Sequence, residues 1–129
     1  MKPRMILLIT SIIFLVFGLG QIFIGRSGIS VFDNSLNTEA GLNILVPMQE
    51  IFGASAIYVS ILLFLSRNVN FEASKRILLG SGIGIIAFLL VGSKHLFIDD
   101  LVNPPIISLG VFALISIISI YTYFKAEEN

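Results

Sequence analysis

Three side chains in this 129-residue chain have the types and spacing to do chemistry together: Gln21, Glu50 and His95, with Arg26, Lys94 and Asp99 around them. His95 and Asp99 stand four residues apart, within side-chain reach on a helix that continues through both. A carboxylate beside an imidazole holds one tautomer or makes the ring more basic, as a proton relay or general base requires. Gln21, Glu50 and His95 converging near the outer mouth of a helix bundle would equally line an outer-leaflet pocket for a lipid-like or quinone-like molecule. The plainer account is that Arg26, Glu50, Lys94 and Asp99 lie among lipid headgroups or pair across helices, the ordinary fate of charges at helix ends.

Other chemistries fail sooner. One histidine and no cysteine leave no usual zinc site, disulfide or thiol redox centre. Gly80-Ser81-Gly82-Ile83-Gly84 is glycine-rich, but it lies in an apolar helix with no preceding strand and no following Lys-Ser/Thr, so it is no phosphate loop. Ser108, Ser116 and Ser119 read as packing and hydrogen-bonding residues. The expectation is a protein with no catalytic residue, no metal and no cofactor.

The elements that would carry these groups follow from composition. The chain is 56% hydrophobic and 12% charged, with mean hydropathy +0.98, against about 25% charged in soluble domains. A water-soluble fold of this size would lack polar surface to cover itself. Eight basic and eight acidic side chains balance, which gives no footing for nucleic acid. Ile77 to Ser93 is uncharged and framed by Lys75-Arg76 and Lys94-His95. At ~1.5 Å per residue it covers roughly 25 Å, close to the ~30 Å of bilayer hydrocarbon. Similar runs give one membrane domain with four spans, about 5–24, 46–66, 76–95 and 104–124. The fold expected is all-α, an antiparallel four-transmembrane-helix bundle. Lys2 and Arg4 before the first run resemble a signal peptide, but the run outlasts a ~7–15-residue apolar region and no A-x-A cleavage site follows, so an uncleaved anchor is expected.

Between the spans, Arg26 to Leu45 reads as a loop, with room for a short helix, folded against the end of the bundle, and Pro47 falls in the first turn of the second helix. Arg67 to Arg76 reads as a short polar connection, with Ser74 capping the third helix. Asn103 and Pro104 form a start signal for the fourth. Lys2, Arg4, Arg67, Lys75, Arg76 and Lys125 then share one side, with only Arg26 and Lys94 opposite. The positive-inside rule puts that side, and both termini, in the cytoplasm of a cell whose inner (plasma) membrane holds the chain.

Small residues mark the faces expected to pack. Ser11, Gly18 and Gly25 recur every seven residues on the first span, Gly53 sits beside Ala54 on the second, and Gly80, Gly84 and Ala87 fall within about 60° on the third. Gln21 lies about 40° from Gly25, and His95 about 20° from Gly84, so the polar candidates share these faces. Each face can meet another helix of the chain, a second copy in a homo-oligomer, a membrane partner or lipid. No span has an ionisable residue near its middle, which argues against an ion pump or a charge-coupled transporter.

Phe17-Gly18-Leu19-Gly20 ending the first span, a semi-apolar outer loop, Pro47-Met48-Gln49-Glu50-Ile51-Phe52-Gly53-Ala54 opening the second helix, and an acidic turn before Pro104-Pro105 together resemble the DoxX-like group of small four-span bacterial membrane proteins. The resemblance covers most of the chain at the level of layout. It implies a left-handed four-helix bundle and brings no activity; Gln49-Glu50 stands here where the group is expected to carry an arginine.

Overall fold

The computed structural model describes residues 2–32, 38–97 and 106–127 and folds them into four helices: α1 (Pro3–Phe32), α2 (Glu39–Ser66), α3 (Phe71–Phe97) and α4 (Ile106–Lys125). Each contains a stretch long and apolar enough to cross a membrane. Only 17 to 28% of the residues in those stretches are buried. The outward faces carry side chains such as Val16, Phe23, Ile51, Leu90 and Ile117. A surface this greasy suits hydrocarbon and not water.

The helices run well past the uncharged runs, which corrects several boundaries read from sequence. α1 continues through Arg26 to Phe32, and α2 begins at Glu39, so most of the expected loop is helical and Pro47 lies inside α2. Thr38 accounts for the early start: its hydroxyl oxygen accepts from the Gly41 N–H at 3.1 Å, and Glu39 sits in the favourable first turn. Pro47 costs that helix one backbone hydrogen bond. Asn70, not Ser74, caps α3, its side-chain oxygen accepting from the Ala73 N–H at 2.8 Å. Ser74 is fully buried and donates to the Asn70 carbonyl at 3.0 Å. Glu72 and Lys75 belong to the opening turns of α3, 3.7 Å apart. Charge marks where hydrocarbon ends; a helix with a good cap goes on. The Asn103-Pro104 start signal, like Asp99, lies outside the described residues.

The four helices associate as two tight pairs. In the α1–α2 pair, Ser60 donates to the Ser11 carbonyl at 2.7 Å in a buried setting. Seven residues along each helix, Gly18 and Gly53 bring backbone onto backbone. A Cβ placed on Gly18 would stand 2.6 Å from the Gly53 carbonyl oxygen, and one on Gly53 would stand 2.7 Å from that of Gly18. The α3–α4 pair repeats the device: Ser116 donates to the Gly82 carbonyl at 2.9 Å, and a Cβ on Gly82 would stand 2.7 Å from Ile120. Small side chains allow the close approach, and a serine hydroxyl fastens it.

The pairs meet differently at their two ends. At the end where Arg4 reaches the Val69 carbonyl and Lys75 lies over the Tyr123 ring, Ile6 and Leu7 of α1, Leu63 of α2 and Leu78 of α3 form a closed core, joined by Ile118 of α4. Further along the bundle the core is Ile85, Phe112 and Ile115, with Ile13, Phe14, Phe17, Phe88 and Leu89 packed on it. Among the described residues α2 supplies none of this second core. α2 and α3 therefore stand apart over that length.

Candidate functional site

The separation of α2 from α3 leaves a cleft of about 320 Å³, open to the side of the bundle. Phe14 and Phe17 of α1 and Phe112 of α4 form its back wall. Ser55, Ala56 and Val59 line it from α2, and Ser81, Gly84 and Ile85 from α3. Phe52 and Phe88 close one end, their rings stacked across the gap at 5.8 Å and 17°. The same rings are wired into the back wall: Phe17 meets Phe52 at 5.8 Å and Phe112 at 5.0 Å, and Phe112 meets Phe88 and Phe14 at 5.3 Å each. Edge-to-face contacts of this kind add about 0.5–1.5 kcal/mol each beyond burial. Five rings thus hold an apolar cavity open where side-chain interdigitation would otherwise fill it.

The local sequence explains the shape. Phe14 and Phe17 are three apart and share a face of α1, while Ser81 and Gly84, also three apart, cut a notch into α3. A Cβ on Gly84 would meet nothing within 4 Å. The volume sits at the small end of the roughly 300–1,000 Å³ typical of small-molecule pockets. Among the described residues no charged side chain lines it, and its polar groups are two hydroxyls. Ser55 spends its hydrogen on the Ile51 carbonyl at 2.9 Å, and Ser81 makes no hydrogen bond to another described residue. Such a site has no acid, base or nucleophile pair; it can bind and orient an apolar molecule. A second opening of about 290 Å³ lies on the other side of Phe17 and Phe112, lined by Ile12, Ile13 and Val16 of α1 and by Ser108 and Val111 of α4. The two ring residues are the partition between these gaps.

The polar residues singled out from sequence lie elsewhere. Gln21 is half-buried in the α1–α2 seam, where its Cβ would stand 2.9 Å from a Cβ on Gly53. Glu50 is exposed on α2, one turn before Gly53, and does not line the cleft. Among the described residues no hydrogen bond or ion pair joins Gln21 to Glu50. His95 belongs to α3, but its surroundings, like those of Gly25 and Arg26 on α1, lie outside the described set. Of the small residues, Gly18 and Gly53 pack on each other, whereas Gly80 and Gly84 face open space within the chain. The glycines of α3 that meet a neighbouring helix are Gly82, against Ile120 and on the opposite side from Gly80, and Gly92, against Leu109.

Of the serines of α4 expected to pack and hydrogen-bond, Ser116 does both, whereas Ser119 is buried with no partner among the described residues. Thr10, Ser119 and Thr122 are at most 1% exposed and have no hydrogen-bond partner among the described residues. Ser116, Ser119 and Thr122 give α4 an inward face that is hydroxylic toward one end and apolar, through Phe112 and Ile115, toward the other.

Comparison of the chain with protein-family models, with curated proteins and with solved structures gives no match.

Proposed function

We propose that the chain is a non-catalytic, multi-pass protein of the plasma membrane, an antiparallel four-helix bundle with cytoplasmic termini, that takes an apolar molecule of the bilayer into the cleft between α2 and α3. The observation that carries this reading is the Phe-lined cavity itself, placed at mid-span and open sideways, where hydrocarbon and not water would reach it. Four candidate spans and six basic residues at one end support the topology. The seven-residue recurrence of Ser11–Ser60 and Gly18–Gly53 supports the antiparallel arrangement. The lipid-like ligand considered from sequence is kept here, but its site moves from Gln21, Glu50 and His95 to the aromatic rings deeper in the bundle. Kinship with the DoxX-like group remains a proposal of layout alone. Gly80, with open space around it on α3 and outside the lining of the cleft, leaves room for lipid or for a second copy.

Gly84→Leu tests the reading, because it fills the cleft at a position where added carbon meets no neighbour. Native mass spectrometry from mild detergent should show the wild-type chain with retained lipid-sized adducts, and Gly84→Leu with the same helicity but without them. Equal retention by both proteins would refute the cleft as the binding site.

A further inference from the structure

We propose that the molecule held in the cleft carries an uncharged oxygen within its apolar body, and that this oxygen accepts the hydrogen of the Ser81 hydroxyl; the inference rests on the cleft being a binding site at all. Two observations carry it. Ser81 is half-buried in the α3 wall and makes no hydrogen bond to another described residue, whereas Ser11, Ser55, Ser60, Ser74 and Ser116 all donate to backbone carbonyls. Its surroundings are Phe rings and aliphatic carbon, with no charge to satisfy an ionic group. A hydroxyl in hydrocarbon prefers any acceptor to none, and in the position it takes here Ser81 has none among the described residues.

Depth selects the class of molecule. Ser81 lies five residues inside Arg76 and thirteen from Lys94, so roughly 7 and 20 Å from the charges that frame the uncharged run of α3. The ester oxygens of a phospholipid stay near the level of those charges, and its tails come level with Ser81. A ligand that satisfies Ser81 therefore has its oxygen, a ketone or an alcohol, embedded in hydrocarbon. Ser55 on the facing wall has its hydrogen engaged and offers only a lone pair, so Ser81 is the donor of the two.

Saturation binding of two radiolabelled probes, hexadecane and hexadecan-8-one, to the full chain in nanodiscs, corrected by empty discs, tests the assignment. The ketone should bind roughly three- to tenfold more tightly than the alkane, the worth of one net hydrogen bond. Ser81→Ala should bind the two equally while Ser81→Thr keeps the preference, and the ketone C=O stretch should fall in frequency on the wild type but not on Ser81→Ala. Equal binding of both probes by the wild type would overturn the role of Ser81 and leave the cleft standing. Binding of neither probe would overturn the cleft reading and this inference with it.

Discussion

Gly53 and Phe52 are neighbours in sequence, yet they face two interfaces built from opposite materials. Gly53 turns to α1, where the absence of a side chain lets two backbones touch. Phe52 turns to α3, where a ring bridges helices that otherwise stand apart. The first interface excludes everything, because a Cβ added to it would clash with a backbone carbonyl oxygen. The second has the size of a ligand, because rigid rings brace its end and back while Ser55, Ala56, Ser81 and Gly84 leave its sides shallow. In a bilayer, where apolar burial gives no net advantage over lipid, only close packing and hydrogen bonds join helices firmly. The α1–α2 and α3–α4 seams have both, whereas among the described residues no hydrogen bond crosses from α2 to α3 along the cleft.

Substitutions should separate these interfaces in order of effect, measured as helicity lost on titration with SDS. Gly53→Leu forces carbon onto the Gly18 backbone and should cost about 3 kcal/mol or prevent folding, the upper range for overpacking. Gly82→Ala, which meets a side-chain carbon of Ile120 at 2.7 Å where Gly53→Leu meets backbone, should cost less, about 1–2 kcal/mol. Ser60→Ala removes the buried bond to the Ser11 carbonyl and should cost about 0.6–1.7 kcal/mol. Ser119→Ala, which removes an equally buried hydroxyl that bonds to nothing among the described residues, should lie within error of wild type or above it. Gly80→Ala should be the smallest change and of opposite sign, a gain of up to ~1 kcal/mol from helix propensity alone. If Gly80→Ala proved as damaging as Gly53→Leu, the outward face of α3 would be a packing surface and the contrast drawn here would fail. Cysteine labels at Asn34 and Asn70 should react from opposite sides of the membrane; reaction from one side would break the topology.

Much of the architecture was legible because hydrophobic run length is set by the bilayer: four apolar runs gave four helices. The boundaries were not, since Thr38 and Asn70 cap helices beyond the apolar runs and nothing in hydropathy reports a cap. Glycine periodicity found Gly18 and Gly53 but could not say which side of α3 meets α4, because Gly80, Gly82 and Gly84 place small residues on both sides of that helix. The cleft was hidden for a deeper reason. A phenylalanine in a span looks the same whether it packs, faces lipid or walls a cavity, and only the positions of neighbouring helices distinguish Phe17 from Phe23. Attention to polar residues led toward Glu50, which is exposed, and away from Ser81.

Labelling of the unmodified chain in lipid bilayers with an apolar diazirine, photolysed and mapped by peptide mass spectrometry, compares the two interfaces directly. Ala56 and Ile85 are 7% and 4% exposed yet line the cleft, and Ser60, 4% exposed, lies in the α1–α2 seam. Carbene adducts on Ala56 and Ile85 with none on Gly53 or Ser60 are the predicted result. Equal protection of all four residues would mean that the helices close on one another in the membrane and that there is no cleft to fill.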